Sequence, residues 1–507
     1  MLSKFGFHHF IFALLPVSLL FLDNINEIPI NDIFIPLVIS LIPVIVLWGL
    51  LTYFIGAKKS SVIVSFIIIL LLIFTYTRSS LIYHEIIEIR IIAKNIILIP
   101  IFSVIGIFGI RHILRKEFSS NITSIINVVS VTVIFAIIFQ VGLFTVQGDS
   151  SLEEYEKLLN VQIFQTNELV QKPDVYLLLL DAYSGEITLK NDYGYDNSKF
   201  YNQLEERGFF VQQESFSNYP NTQFSLPSIM NMNYLNFITE TQGEESKDMR
   251  LNQKLWNENK VMQIFHANEY EIYSFHGRDG SSSDMVTKNF CEYTLNLNPE
   301  LTNTLIKHYM PLSMIRTSVL ENSHYETVRC VLDTMINFEK ETDHPIYMHM
   351  HIRLPHQPLI FDSEGKKIDE PVASNRFDSE LKDAYLQQLI FTNKKTIEIV
   401  DSIKQKNSDA VIIIMSDHGG RFGVDWDNPS EMDYFRAFNN LNALYFPGKE
   451  TNFPMDISPV NIFRTFFNLY FESDYEILDE KQIWYVPDQP LKHTDVTEII
   501  KSSHFRN

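Results

Sequence analysis

The sequence predicts a two-part chain: an N-terminal bundle of transmembrane α-helices, then an extracytoplasmic α/β sandwich built on a mainly parallel sheet. Three observations lead there. Up to about Phe144 the chain is dominated by Ile, Leu, Val and Phe, whereas beyond Gln147 it has the mixed composition of a soluble globular domain. Two apolar runs, Asp174 to Leu180 and Val411 to Met415, read as strands buried on both faces, as in a parallel sheet covered by helices. Both runs stop at chemistry. The first ends in Asp181 and the second in Ser416-Asp417-His418-Gly419-Gly420, and in open α/β sheets ligands bind at the carboxyl ends of the strands.

At 507 residues the chain is too long for one small domain. We divide it into a transmembrane region over 1–146, a helical linker over 147–172 and a globular domain over 173–507. Five apolar stretches carry the first part: roughly Phe7–Leu22, Phe34–Ile55, Val62–Tyr76, Ile92–Ile110 and Ile125–Phe144. A bilayer core needs about 20 apolar residues in a helix, which the second, fourth and fifth meet; the first and third are short. Lys4, Lys58, Lys59, Arg111, Arg115 and Lys116 fall on one side of such a bundle, and the loop from Asp23 to Asp32 opposite has no Lys or Arg. By the positive-inside rule the amino terminus lies inside, and an odd number of spans places the globular domain outside the cell (inner) membrane. The net charge of −20 excludes a nucleic-acid-binding role, which needs a basic face. The two cysteines, Cys291 and Cys330, both lie in the outer domain, where an oxidising compartment would let them pair.

Read in order, the outer domain alternates strands and helices. Asp196 to Gly208 is spaced as a helix through Phe200 and Leu204, and Phe209 to Val211 as a strand. A polar loop from Ser215 leads to Thr222, where a helix should begin. Thr222 reads equally as that helix's N-cap or as a hydroxyl at its positive dipole end, a place that favours anions. Ser225, one turn on, shares its face. Glu271 to Phe275 is a strand followed by His276-Gly277-Arg278, and Ile346 to Ile352 is a strand carrying His349 and His351, which we expect to be packed or hydrogen-bonded. Phe377 to Lys406 is a long amphipathic helix expected to supply packing, and Arg436 is expected near the substrate. Asp417 and His418 offer one hard oxygen and one borderline nitrogen, a sensible pair for a divalent metal. The two glycines after them would let backbone approach a ligand.

Strand-Asp181, the loop Asn218-Tyr219-Pro220-Asn221-Thr222-Gln223-Phe224-Ser225-Leu226-Pro227-Ser228, the segment Pro355-His356-Gln357-Pro358 and Ser416-Asp417-His418-Gly419 stand in the order seen in the sulfatase and alkaline-phosphatase superfamily. The chain most resembles the membrane-bound branch that includes lipoteichoic acid synthases and phosphoethanolamine transferases. That resemblance implies a metal site of Asp181, Thr222, Asp417 and His418, with Thr222 both ligand and nucleophile. It implies His356 as a group that binds anionic oxygens or protonates a leaving group, and Ser225, His276 and Arg278 as substrate contacts. The chain departs from the branch in having Asp181 where the transferases usually have Glu. It departs from typical sulfatases at Ala182, where they place a second Asp, and Ser225 would be the nucleophile if their pattern governed. One divalent metal is implied, zinc or manganese, calcium being less natural with an imidazole ligand. The implied partners are a membrane lipid donor and an envelope glycan or lipid acceptor. The expected activity is transfer or hydrolysis of phospho-ester groups. The rivals are hydrolysis of sulfate esters and a non-catalytic envelope scaffold.

Overall fold

The structure, a computed structural model, describes residues 6–23, 25, 30–83, 91–116, 120–158, 162–166, 172–275, 285–291, 318–372, 378–449 and 457–506. It divides into two compact units, one holding Met1–Ser151 and Leu295–Glu321 and the other holding Leu152–Thr294 and Asn322–Asn507.

The first unit forms helices at all five apolar stretches: α1 (His8–Asp23), α2 (Phe34–Ile55), α3 (Ala57–Tyr83), α4 (Ile91–Arg115) and α5 (Ser120–Leu158). Four contain segments long and apolar enough to cross a membrane: Phe34–Ile55, Ala57–Arg78, Ile97–Arg115 and Ile122–Phe144. His8–Leu22 is shorter. Large apolar side chains such as Val38, Leu50, Phe108 and Ile125 remain exposed, as lipid-facing residues would be. The amino end of α1 is tied to α5, where Asn127 Oδ1 accepts the Phe7 and His8 N–H groups at 3.1 and 3.2 Å.

The stretch expected as a helical linker is helical only as far as Leu158 among the described residues; Gln162–Thr166 is not helical. The reason is that Gln162–Thr166 has a surface to bind. Phe164 packs its ring against Phe467, Phe471 and Tyr475, and Asn268 Oδ1 accepts the Thr166 N–H at 2.7 Å.

The second unit is built on a seven-stranded sheet. Its strands are β1 (Val175–Leu180), β2 (Phe210–Val211), β3 (Glu271–Phe275), β4 (Lys288–Phe290), β5 (Ile346–Ile352), β6 (Val411–Met415) and β7 (Asn442–Tyr445). Their spatial order is β2-β7-β6-β1-β5-β3-β4. The pairs among β6, β1, β5, β3 and β4 are parallel; β7 runs antiparallel to both β6 and β2. β1 sits at the centre, and its alternation sorts side chains into two cores. Tyr176, Leu178 and Leu180 pack with Leu381, Tyr385 and Leu389 of helix α7 (Ser379–Lys406). Val175, Leu177 and Leu179 pack with Leu226 and Ile229 of helix α6 (Thr222–Met230) and with Phe463 and Phe467 of helix α8 (Ile462–Tyr470). Helices therefore cover both faces, which is why these strands are apolar throughout.

Cys291, just after β4, is disulfide-bonded to Cys330 on the helix Ser318–Asn337. At the amino end of β1, buried Asp174 gathers three partners. Its carboxylate accepts the Ile346 N–H at 3.0 Å, Lys340 Nζ at 2.8 Å and Asn407 Nδ2 at 2.8 Å. Asp174→Ala strands all three and is expected to cost about 2–4 kcal/mol. Thermal unfolding of the detergent-solubilised chain should show a lower midpoint; an unaltered one would contradict this role.

Candidate active site

Register decides what meets at the carboxyl edge of the sheet. Leu180 lies opposite Ile352, and Leu179 lies opposite Met415. The residues that follow, Asp181, Arg353 and Asp417, therefore emerge side by side. Asp181, Asp417 and His418 are all buried, and each offers a ligand atom within 4.8 Å of the others. Helix α6 brings the hydroxyl: Thr222 Oγ1 donates to Asp417 Oδ2 at 2.6 Å and lies 3.1 Å from His418 Nε2.

Each ligand is oriented from behind. Asp417 Oδ1 accepts the N–H groups of Ala182 and His418 at 3.3 and 3.0 Å, which turns Oδ2 toward Thr222. His418 Nδ1 is 2.7 Å from the Gly419 carbonyl. A carbonyl only accepts, so Nδ1 carries the proton and Nε2 presents its lone pair to the carboxylates. Burial holds this imidazole well below its usual pKa, with the Arg421 charge adding to the effect. Asp181 Oδ1 is buried with no hydrogen-bond partner, and His418 Nε2 stands 3.7 Å from it.

A neutral imidazole lone pair aimed at two buried carboxylates, one with an orphaned oxygen, is a repulsive arrangement without a cation. Two carboxylate oxygens, one imidazole nitrogen and one hydroxyl form a mixed donor set that fits zinc or manganese.

Thr222 is not the cap of its helix. Asn221 is, its Oδ1 accepting the Gln223 N–H at 3.1 Å and the Tyr485 hydroxyl as well. Thr222 stands at the first helical position, half-exposed, with its hydroxyl released from capping. Ser225 shares the helix face but is fully buried and donates to the Asp417 carbonyl at 2.6 Å. Its hydroxyl thus holds the strand end that carries Asp417. His276 and Arg278 lie outside the described residues.

His356 Nδ1 is 2.5 Å from the Gln357 carbonyl, so its Nε2 is the free acceptor. Burial lowers its pKa, Asp181 works in the opposite direction, and the charges of Arg353 and Arg421 lower it further. His349 is packed and hydrogen-bonded: Trp256 lies edge-on at 5.6 Å and the Tyr347 hydroxyl is 3.2 Å from Nδ1. Burial brings its pKa down to about 3. His351, two residues on along the same face of the strand, has Nε2 3.6 Å from Asp181 Oδ2.

Three expectations change. The glycines after His418 do not make room for a ligand. A Cβ on Gly419 would lie 2.3 Å from the Arg436 carbonyl oxygen, and one on Gly420 would lie 2.7 Å from Ser184 Oγ. They let the site loop pack against its own neighbours. Arg436 is held away from any substrate role by Asp192, at 2.5 and 3.1 Å, and Asp433, at 3.0 Å. Helix α7 does more than pack. Gln388 Nε2 donates to the carbonyls of Pro355 and His356 at 3.2 and 2.9 Å. Tyr385 donates to the Ala182 carbonyl at 2.9 Å and accepts the Ser184 N–H at 2.9 Å. Two site loops are thus hung on one helix face. The polar residues at 385 and 388 interrupt its apolar stripe, and that interruption was the available signal.

The family model described as Sulfatase matches residues 173–461. The chain belongs to the sulfatase family. Among solved structures, it is similar to the C-terminal periplasmic domain of EcEptC from Escherichia coli, at 12% identity, covering 63% of this chain and 92% of that one with a TM-score of 0.39. It is also similar to a putative sulfatase from Bacteroides thetaiotaomicron VPI-5482, at 15% identity over 64% and 75% of the two chains with a TM-score of 0.39. A third is the C-terminal periplasmic domain of phosphoethanolamine transferase EptC from Campylobacter jejuni, at 14% identity over 63% and 95% with a TM-score of 0.37. No curated protein matches the chain.

Asp181→Asn separates a metal ligand from a structural carboxylate. In metal-stripped protein the substitution is expected to leave the thermal midpoint unchanged or raised, because it relieves like-charge crowding. Added zinc or manganese should raise the wild-type midpoint and leave that of the variant unmoved. An equal metal-induced rise in both would remove Asp181 from the site.

Proposed function

We propose that this sulfatase-family chain is a membrane-anchored, metal-dependent enzyme that transfers or hydrolyses phospho-ester groups of a cell-envelope lipid or glycan, with Thr222 as nucleophile. The observation that carries the reading is the position of Thr222 Oγ1, 2.6 Å from Asp417 Oδ2 and 3.1 Å from His418 Nε2, on a half-exposed helix start. A hydroxyl needed only as a cap would bond its own helix, and here Asn221 does that.

Asp181, Thr222, Asp417 and His418 would hold the divalent cation, which when bound lowers the hydroxyl's pKa and offsets charge on the transferred group. Asp417 Oδ2 would receive the Thr222 hydroxyl proton as Oγ1 bonds the phosphorus and the donor's P–O bond breaks, the donor oxygen leaving with that proton as an alcohol. The start of α6 adds its positive dipole end where negative charge develops. His356, neutral and with Nε2 free to accept, suits taking a proton from the acceptor hydroxyl or water that displaces the group from Thr222. The apolar helices would hold a lipid donor's bilayer within reach, with the catalytic domain on the extracytoplasmic side; the Cys291–Cys330 disulfide suits an oxidising compartment.

Intact-mass analysis of the detergent-solubilised chain after incubation with total envelope lipid extract tests this. Wild type is expected to gain a phosphorus-containing adduct that Thr222→Ala does not gain, and the added mass names the group. An adduct shown to contain sulfur and no phosphorus, or one that persists in Thr222→Ala, would overturn the reading.

A further inference from the structure

A cavity of about 730 Å³ lies within the second unit, and its neighbours give its place in the fold. Phe471, in its wall, packs against Tyr270, whose hydroxyl donates to the carbonyl of Pro173, two residues before β1 begins. The cavity therefore stands at the amino edge of the sheet, whereas Thr222 stands at the carboxyl edge. The six residues of β1 put about 20 Å between those edges.

The walls are built before anything enters. Asn468, on α8, fixes the loop that follows its helix. Its Oδ1 accepts the Ser473 hydroxyl at 2.7 Å and the Tyr475 N–H at 2.8 Å, and its Nδ2 donates to the Tyr475 carbonyl at 2.8 Å. The Gln162–Thr166 segment, which also lines the cavity, is held by the packing of Phe164 on Phe471 and Tyr475. The Tyr475 hydroxyl donates to the Gln162 carbonyl at 2.6 Å. Little ordering is left for a ligand to impose.

Two side chains stand there at a cost that the fold does not explain. Arg464, only 7% exposed, donates from Nε to the Met232 carbonyl and from Nη1 to the Glu476 carbonyl, each at 2.7 Å. No carboxylate pairs with it, and its Nη2 bonds nothing in the protein among the described residues. A buried guanidinium with spare donors is costly unless a ligand takes them. Glu472 follows the C-cap of α8 with a φ of 56°, the left-handed position where glycine ordinarily ends a helix. A glutamate stands where a glycine would relieve the backbone, and it belongs to the cavity wall.

The lining selects by chemistry. Arg464 only donates, Glu472, Asp474 and Glu476 only accept, and Gln165 and Thr166 do both. Three carboxylates against one guanidinium disfavour an anion, and the buried guanidinium disfavours a cation. Sugar hydroxyls, which donate and accept, satisfy every member of that set. The Phe164 and Tyr475 rings supply apolar faces for the C–H side of a sugar ring. The volume falls within the range of ligand pockets, about 300–1,000 Å³. We propose that this cavity is an accessory binding site for an uncharged glycan segment, separate from the Thr222 centre and independent of its chemistry. It anchors the second unit on a neutral polysaccharide and leaves the carboxyl edge of the sheet free.

Ligand-observed NMR titration of the full chain, in a detergent without a sugar headgroup, tests it. Chitotriose and maltotriose are the uncharged probes, and trigalacturonate and the glucosamine trimer the charged ones. At least one uncharged trimer is expected to bind with a Kd of about 1 mM or below, about tenfold more tightly than either charged trimer. Arg464 also holds two carbonyls, so the substitutions are Glu472→Gly and Gln165→Ala. Each should weaken that binding about fivefold or more. The thermal midpoint of Glu472→Gly should hold or rise, and Thr222→Ala should bind as wild type does. The site is overturned if neither uncharged trimer binds, if a charged one binds more tightly, if both wall variants bind unaltered, or if Thr222→Ala loses binding. None of those outcomes removes Thr222 as the nucleophile.

Discussion

Everything in the catalytic unit depends on the parallel pairing of β1 with β5 and β6. β1 and β6 are apolar along their whole length and β5 is broken only by His349 and His351, so they can sit only where helices cover both faces. Register in turn places Asp181 and Asp417 at one edge, about one strand spacing apart. Two carboxylates are a poor thing to bury together. The arrangement is eased at Asp417 by the Thr222 hydroxyl and by the Ala182 and His418 N–H groups, all of which donate to its carboxylate.

Around this centre lies a layer of neutral polar side chains whose work is to hold main chain. Ser225 fixes the Asp417 carbonyl, Ser416 receives the Tyr183 N–H, Tyr385 spans Ala182 and Ser184, and Gln388 clasps the His356 loop. None carries charge, so none adds to the charge of the site. Buried hydrogen bonds of this kind rigidify loops that would otherwise have to be ordered when the substrate arrives. The charged groups are kept for the reacting centre itself, and Arg436, which lies close behind it, is neutralised by Asp192 and Asp433.

Much of this was legible in the sequence, for a definite reason. An apolar run that ends abruptly in an acid signals a strand covered on both faces, and the carboxyl ends of parallel strands point the same way. Asp181, Asp417 and His418 could therefore be placed together without a contact map, and the polar loop before α6 pointed to Thr222. What was hidden depends on side-chain direction. Asn221 and Thr222 are both good caps, and only backbone geometry shows that Asn221 takes the role and frees its neighbour. Gly419 and Gly420 looked like room for a ligand, yet the space they leave is filled by the Arg436 carbonyl and Ser184. The 162–166 segment was expected to be helical, and its extended course reflects contacts that lie far along the chain, at residues 268, 467, 471 and 475.

The bond between Cys291 and Cys330 has a consequence for the chain's durability outside a cell. It closes a covalent ring across 39 positions of sequence, from the edge strand β4 to the helix Ser318–Asn337. A protease that cut anywhere inside that ring would not release either end. The two halves would stay joined through sulfur and part only under a reductant.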